Sequence, residues 1–157
     1  MPRAIAMFLM MDYRDIRVRN ATYQLFVELR RAPATQEVAD FLRVPFAEVQ
    51  ASWHRLHDEH AIVLNEFKTE LRMANPFSAV PSAYRVSARG FWWYANCAWD
   101  AFGICAALHA DGRIETSCPD CLEPLAIDVQ GALPSRTDLL FHCLVPARHW
   151  WDDIVFT

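Results

Sequence analysis

The sequence lacks a net positive charge: fifteen Lys and Arg face nineteen Asp and Glu, a formal balance of -4 over 157 residues. No overall field would gather nucleic acid or an anionic membrane, and small or cationic ligands are easier partners. A long hydrophobic run is also missing. The apolar stretch Ala4 to Met11 follows a single Arg and meets Asp12 without a small-residue cleavage site, so it is too short to span a bilayer and a poor secretory signal. A buried N-terminal helix or strand is expected there, in a cytoplasmic protein with no membrane partner. There are no internal repeats and no low-complexity stretches. Nor is there the cysteine framework of a secreted domain. Cys97, Cys105, Cys118, Cys121 and Cys143 are odd in number and confined to the C-terminal half, which fits thiol chemistry better than disulfides.

What is present suffices for a folded chain, with 54% hydrophobic and 22% charged residues. The patterning predicts an α+β protein in two linked modules, a winged-helix-like helical module over 1–80 and a mixed or antiparallel-sheet core over 81–157. Ala21 to Arg31 places Tyr23, Phe26, Val27 and Arg30 at helical spacing before Pro33. Thr35 suits the N-cap of a short helix from Gln36 to Leu42, with Val38, Phe41 and Leu42 as its apolar stripe. Pro45 suits the first turn of a third helix, Phe46 to His60, with Val49, Trp53 and Leu56 inward. Ile62 to Leu64 and Glu70 to Met73 then pair as a hairpin. That order often binds DNA through the third helix, but here that helix carries Glu48, Asp58 and Glu59 against Arg55 alone, a poor match to phosphate. His54, His57 and His60 drift around it and read as a solvated face. After a linker near Asn75, Pro76 and Pro81, the second module should hold a helix over Trp92 to Ala107. Strands are expected at Ile114 to Thr116, Leu125 to Val129, Leu139 to Leu144 and Asp153 to Thr157.

The stretch from Gly90 to Ile104 carries the chemistry. If helical, it sets Cys97 and Asp100 on one face, a soft-metal ligand beside an acid. Phe91, Trp92, Trp93, Tyr94, Trp99 and Phe102 would shape a dry pocket that raises the carboxyl pKa. A cysteine in an aromatic helix is, equally, often a small core residue. Cys118-Pro119-Asp120-Cys121 is a single CxxC, short of the four ligands of structural zinc unless Cys143 and His142 complete it. Otherwise the pair buffers metal or packs.

Four blocks in order resemble the alkylmercury lyase (organomercurial lyase) family: Arg72-Met73-Ala74-Asn75-Pro76-Phe77-Ser78, Trp93-Tyr94-Ala95-Asn96-Cys97-Ala98-Trp99-Asp100, Ser117-Cys118-Pro119-Asp120-Cys121, and Val145 to Thr157. The resemblance implies protonolysis of a carbon–mercury bond to a hydrocarbon and Hg(II), with mercury as substrate and product and no organic cofactor. Cys97 falls on the family's attacking cysteine and Asp100 on its proton donor. Cys118 falls on a cysteine that supports the fold. The partners so implied are a small organomercurial substrate and, for Hg(II), a mercury reductase or small thiols.

In the family a second catalytic cysteine follows the strand that here reads Asp153 to Thr157, where this sequence stops. The resemblance therefore implies impaired chemistry, a longer natural chain, or a substitute thiol. Cys105, eight residues after Cys97, is the first substitute to test as a metal ligand beside Cys97 and Asp100, and Cys143 the next, with Cys118 and Cys121 weaker. His149 and Asp152 or Asp153 are expected to fix the last strand or line the pocket, with Arg148 pairing with either carboxylate. Two other classes fit the same residues: a non-catalytic thiolate protein for Hg or Cu, and a metal-responsive winged-helix regulator.

Overall fold

A computed structural model describes residues 12–156. The Ala4 to Met11 expectation and Thr157 lie outside them. The protein is α+β. Its first helix, α1 (Tyr13–Leu29), begins eight residues before the expected start, where Asp12 accepts the Arg14 N–H at 3.0 Å as N-cap. Val18, Ala21, Leu25 and Phe26 form its buried stripe. Arg14, Arg17 and Arg19 disguise the early turns as surface loop, yet Asp15 within them is buried. Its carboxylate takes Arg55 at 2.7 Å and the Ser52 hydroxyl at 2.6 Å, and the Arg55 guanidinium holds it below the usual carboxylate range.

Helix α2 (Thr35–Leu42) starts one residue earlier than Thr35 capping implies. Thr35 is inside and buried, and the orphan N–H of Ala34 is satisfied from the third helical residue, Glu37, at 2.8 Å. Arg31 pairs with that carboxylate and lowers its pKa to about 2. In the expected apolar stripe only Val38 is buried, while Phe41 is exposed. Helix α3 (Phe46–Asp58) follows Pro45 and buries Val49, Trp53 and Leu56, ending two residues short of His60. Its Trp53 indole donates to Thr22 on α1 at 2.9 Å.

The sheet begins with the expected hairpin, β1 (Val63–Leu64) and β2 (Leu71–Ala74), paired Val63 to Met73. The three histidines expected on a solvated face, two in α3 and His60 just beyond it, make contacts. His54 lies 2.8 Å from the Lys68 carbonyl, His57 accepts the Leu64 N–H at 3.4 Å, and His60 stacks on Trp151. Beyond the hairpin come β3 (Phe77–Ser78), β4 (Tyr84–Ala88), β5 (Phe91–Ala95), helix α4 (Ala98–Ala107), β6 (Gly112–Ser117), β7 (Pro124–Gln130) and β8 (Leu133–Pro134). All eight strands pair antiparallel in the order β1-β2-β3-β5-β4-β6-β7-β8.

Three expectations are corrected. The helix over Trp92 to Ala107 is a strand and a helix. Its first part is β5, which alternates Trp93 and Ala95 inward with Trp92 and Tyr94 outward and enters from β4 through Arg89-Gly90. Both turn residues have positive φ, 52° and 80°, as a tight two-residue hairpin requires, and Gly90 takes the more extreme value. Leu139 to Leu144 forms no strand among the described residues. Residues 153–156 form a turn after a 3₁₀ segment, Ala147–Asp152, in which His149 bonds Asp152 at 2.8 Å and Arg148 lies against His149. No helix among the described residues is long and apolar enough to cross a membrane.

Helix α4 packs on β4, β5 and β6 and buries Ala101, Ile104 and Cys105. Two close approaches seat it. A Cβ at Gly103 would lie 3.0 Å from the Pro76 side chain. One at Gly112 would lie 2.7 Å from the Cys105 sulfur and 2.8 Å from the Ser87 carbonyl oxygen. The backbone carbonyl cannot step aside as a flexible side chain would. Gly112→Ala is therefore expected to destabilise the protein by about 1–3 kcal/mol through overpacking, read as a lower urea midpoint with unchanged slope. Equal stability would show that the β4–β6 seam yields.

Candidate functional site

At the end of β5, Asn96 and Cys97 turn the chain into α4. Cys97 is the N-cap, with extended backbone (φ -150°, ψ -177°), and Asp100 is the third helical residue. The two side chains thus meet at one helix start, by a route other than the continuous helix expected. A helix N-terminus favours negative charge. The backbone N–H groups of Asp100 and Trp99 favour a thiolate at Cys97 electrostatically, though no cap hydrogen bond closes. Burial outweighs them and pushes the Cys97 thiol up, with the Asp100 carboxylate and Cys143 adding to the rise. Burial also raises the Asp100 carboxyl, opposed by a hydrogen bond from Asn96. Both groups therefore hold protons more tightly than in water.

The acid is fixed by a chain of polar contacts. The Asn96 amide donates to Asp100 at 2.9 Å and to Asn75 Oδ1 at 3.1 Å. The Asn75 carbonyl in turn accepts the Tyr23 hydroxyl of α1 at 2.9 Å. Tyr84, on β4, is raised by burial and by the neighbouring Cys97. Sequence reasoning named none of Tyr23, Asn75, Tyr84 or Asn96 for the site. A signal existed for two of them, since Asn75 and Asn96 lie inside the blocks that carried the family resemblance.

Cys97 and Asp100 open into a cavity of about 540 Å³ whose wall includes Tyr84, Trp99, Cys143 and Asn75. Of the six aromatics expected to form a dry pocket, Trp99 alone lines it. Phe91 to Tyr94 are spent on β5, where Trp93 is core and Trp92 packs edge-on to Tyr94 under Arg85. The wall's other aromatics, from outside that stretch, include Tyr84 and Phe141, the latter 6.1 Å from Trp99.

The cysteines divide into three settings. Cys143 shares the cavity with Cys97. Cys105, 4% exposed, is packed against Gly112 and is not part of the cavity wall. Cys118 and Cys121 sit in the β6–β7 connection, where the backbone N–H groups of Cys121 and Asp120 and the Cys121 thiol lower the Cys118 pKa. Their intervening Pro119 and Asp120 belong to the cavity wall. Among the described residues no three His, Cys, Asp or Glu side chains assemble as a metal site, so Cys143 and His142 do not complete a zinc centre with the CxxC. A pair of thiols is nonetheless what a soft cation of low coordination number needs, and the site offers that pair beside a carboxyl group whose pKa burial raises.

The sequence profile of the alkylmercury lyase family, MerB, matches residues 77–157. No curated protein matches in sequence. A solved structure, the mercury-bound form of MerB2, superposes with a TM-score of 0.64 at 19% identity over 83% of this chain. At that identity the likeness concerns the fold, and this chain spans 63% of the other's length.

Proposed function

The chain belongs to the alkylmercury lyase family, and from that premise we propose that it cleaves the carbon–mercury bond of a small organomercurial by protonolysis, releasing a hydrocarbon and Hg(II). One observation carries the proposal: Cys97, Asp100 and a second thiol, Cys143, face a single cavity. Between the raised pKa of Asp100 and that of Cys97, the resting pair is a neutral thiol and a carboxylate. As the Cys97 sulfur bonds to mercury, its proton moves to Asp100. Cys143 joins as a second sulfur and displaces the small thiolate that carried the substrate in, which leaves with the Cys143 proton. The electron pair of the carbon–mercury bond then passes to carbon, which takes the proton from Asp100. Hydrocarbon departs, the carboxylate is restored, and Hg(II) remains on two sulfurs. Placing donor and leaving carbon in one cavity supplies the proximity that a proton from bulk water lacks. The protein needs no organic cofactor for these steps.

We assign residues 1–80 to support of residues 81–157. Arg55, the one arginine of α3, is committed to Asp15, and Tyr23 of α1 reaches the Asn75 carbonyl beside the acid. That commitment counts against phosphate binding by α3. Released Hg(II) would pass to small thiols or a mercury reductase.

The test is gas-phase detection of benzene from phenylmercuric acetate in excess thiol. Benzene formation above the thiol-only control is expected, and Cys143→Ser should lower it by at least roughly tenfold, the lesser cost of losing even an outer partner of a metal site. Tight mercury binding with no benzene would replace the lyase by a non-catalytic thiolate protein. An unchanged rate in Cys143→Ser would remove Cys143 from the mechanism.

A further inference from the structure

The two remaining accessible thiols have no part in that reaction. Cys118 and Cys121 occupy a tight turn just past the last β6–β7 pair, Ser117 to Pro124. The Cys118 N–H donates to the Glu123 carbonyl at 2.9 Å, and the Leu122 N–H donates to the Cys118 carbonyl at 2.9 Å. These two backbone bonds close the turn without using either sulfur. Leu122, which closes the turn, directly follows Cys121, so the turn keeps the two cysteines close, and the neighbouring Cys121 thiol helps lower the Cys118 pKa. Both are unoxidised, Cys118 half-buried and Cys121 exposed. The residues between them, Pro119 and Asp120, form part of the wall of the Cys97 cavity. One pair of thiols, Cys97 and Cys143, therefore lines the cavity, and the other stands just outside it behind Pro119 and Asp120.

We propose that Cys118 and Cys121 form a second soft-metal site, a rim dithiol that takes Hg(II) from the cavity by thiolate exchange and presents it to solvent. In its role as acceptor it rests on the lyase reading; as a mercury site it does not. Hg(II) held by two cysteine sulfurs leaves only when an incoming sulfur attacks it. The Cys118 thiolate forms a mercury–sulfur bond, the bond to Cys143 breaks, and the freed Cys143 sulfur takes the proton of the Cys121 thiol. Cys121 then exchanges with Cys97 in the same way, and the Cys97 sulfur takes a proton from solvent. Mercury stays Hg(II) throughout. Because two cysteines three apart close one small chelate, the second exchange is intramolecular and follows readily on the first.

Native mass spectrometry with mercuric chloride alone tests the site on the full chain. Wild type should bind two equivalents and Cys118→Ser/Cys121→Ser one, with its thermal midpoint retained because the turn is closed by backbone. Cys97→Ser/Cys143→Ser should keep the rim equivalent. Equal stoichiometry in wild type and the rim variant, or loss of all mercury from the cavity variant, would overturn the site. The relay is read separately. After one turnover, transfer of Hg(II) to added dithiothreitol should slow several-fold in the rim variant, with benzene release in that turnover unchanged. Unchanged transfer would overturn the acceptor role. If wild type makes no benzene yet the rim variant loses one equivalent, the lyase reading fails and the mercury site stands.

Discussion

Asp100→Asn is expected to lower single-turnover benzene release by about 10²–10⁴-fold, the usual worth of a positioned general acid. An amide keeps the shape of the side chain and its place beside Asn96, but it has no proton to give a departing carbon. Mercury binding should persist, since the thiols are untouched. The pH dependence makes the test specific. In wild type the reactive state carries one proton shared between Cys97 and Asp100. Activity should therefore fall below the Asp100 pKa, where both are protonated, and above the Cys97 pKa, where neither is. Burial raises both values, so both limbs of the bell move to higher pH than for the groups in water. The residual activity of Asp100→Asn should instead climb as the Cys97 thiol ionises. A loss of only a few-fold with an unchanged bell would remove Asp100 as the donor.

Cys97→Ser should be more severe, on the order of 10³-fold or greater, as for loss of the nucleophile in a concerted group. A hydroxyl is a hard, weakly acidic ligand and does not hold mercury as a thiolate does. The usual objection, that the variant merely unfolds, is answered by position. Cys97 is the N-cap of α4, a place where serine is among the preferred residues, so the thermal midpoint should not drop. Retention of benzene release within tenfold of wild type would show that another sulfur attacks first.

The helical half of the chain was largely legible because its elements are amphipathic and punctuated. Pro45 followed by Val49, Trp53 and Leu56 locates α3, and the hairpin after it pairs as expected. Strand β5 was hidden because Phe91 to Tyr94 is aromatic at every position, which erases the alternation that marks a half-buried strand. The positive-φ turn at Arg89-Gly90 was the overlooked sign. Leu139 to Leu144 misled in the opposite sense. It has the apolar composition of a strand, yet Leu140 is 96% exposed, and β8, only two residues long, offers it no ladder among the described residues.

The pairing of Cys97 with Asp100 was reached from spacing, and they do lie close. Their neighbours Asn75 and Tyr84 were not readable, because they come from separate segments that only the fold brings to the cavity, and Cys143 ranked only second, after Cys105, among the substitute thiols. Cys105 illustrates the same limit. Eight residues of helical periodicity place it near the face of Cys97, but Gly112 opens a gap on β6 that its sulfur fills.

The strand order has a kinetic consequence. Five of the seven seams join strands consecutive in the chain, and the two exceptions, β3–β5 and β4–β6, flank the β4–β5 hairpin. Consecutive pairings close short loops and form early, whereas β4 meets β6 only after β5 and the whole of α4 have been looped out. The segment looped out is the one that carries Cys97 and Asp100. Closure of the least local seam in the sheet therefore brackets the segment that carries Cys97 and Asp100, while Cys143, beyond β8, is brought to them by a separate later segment.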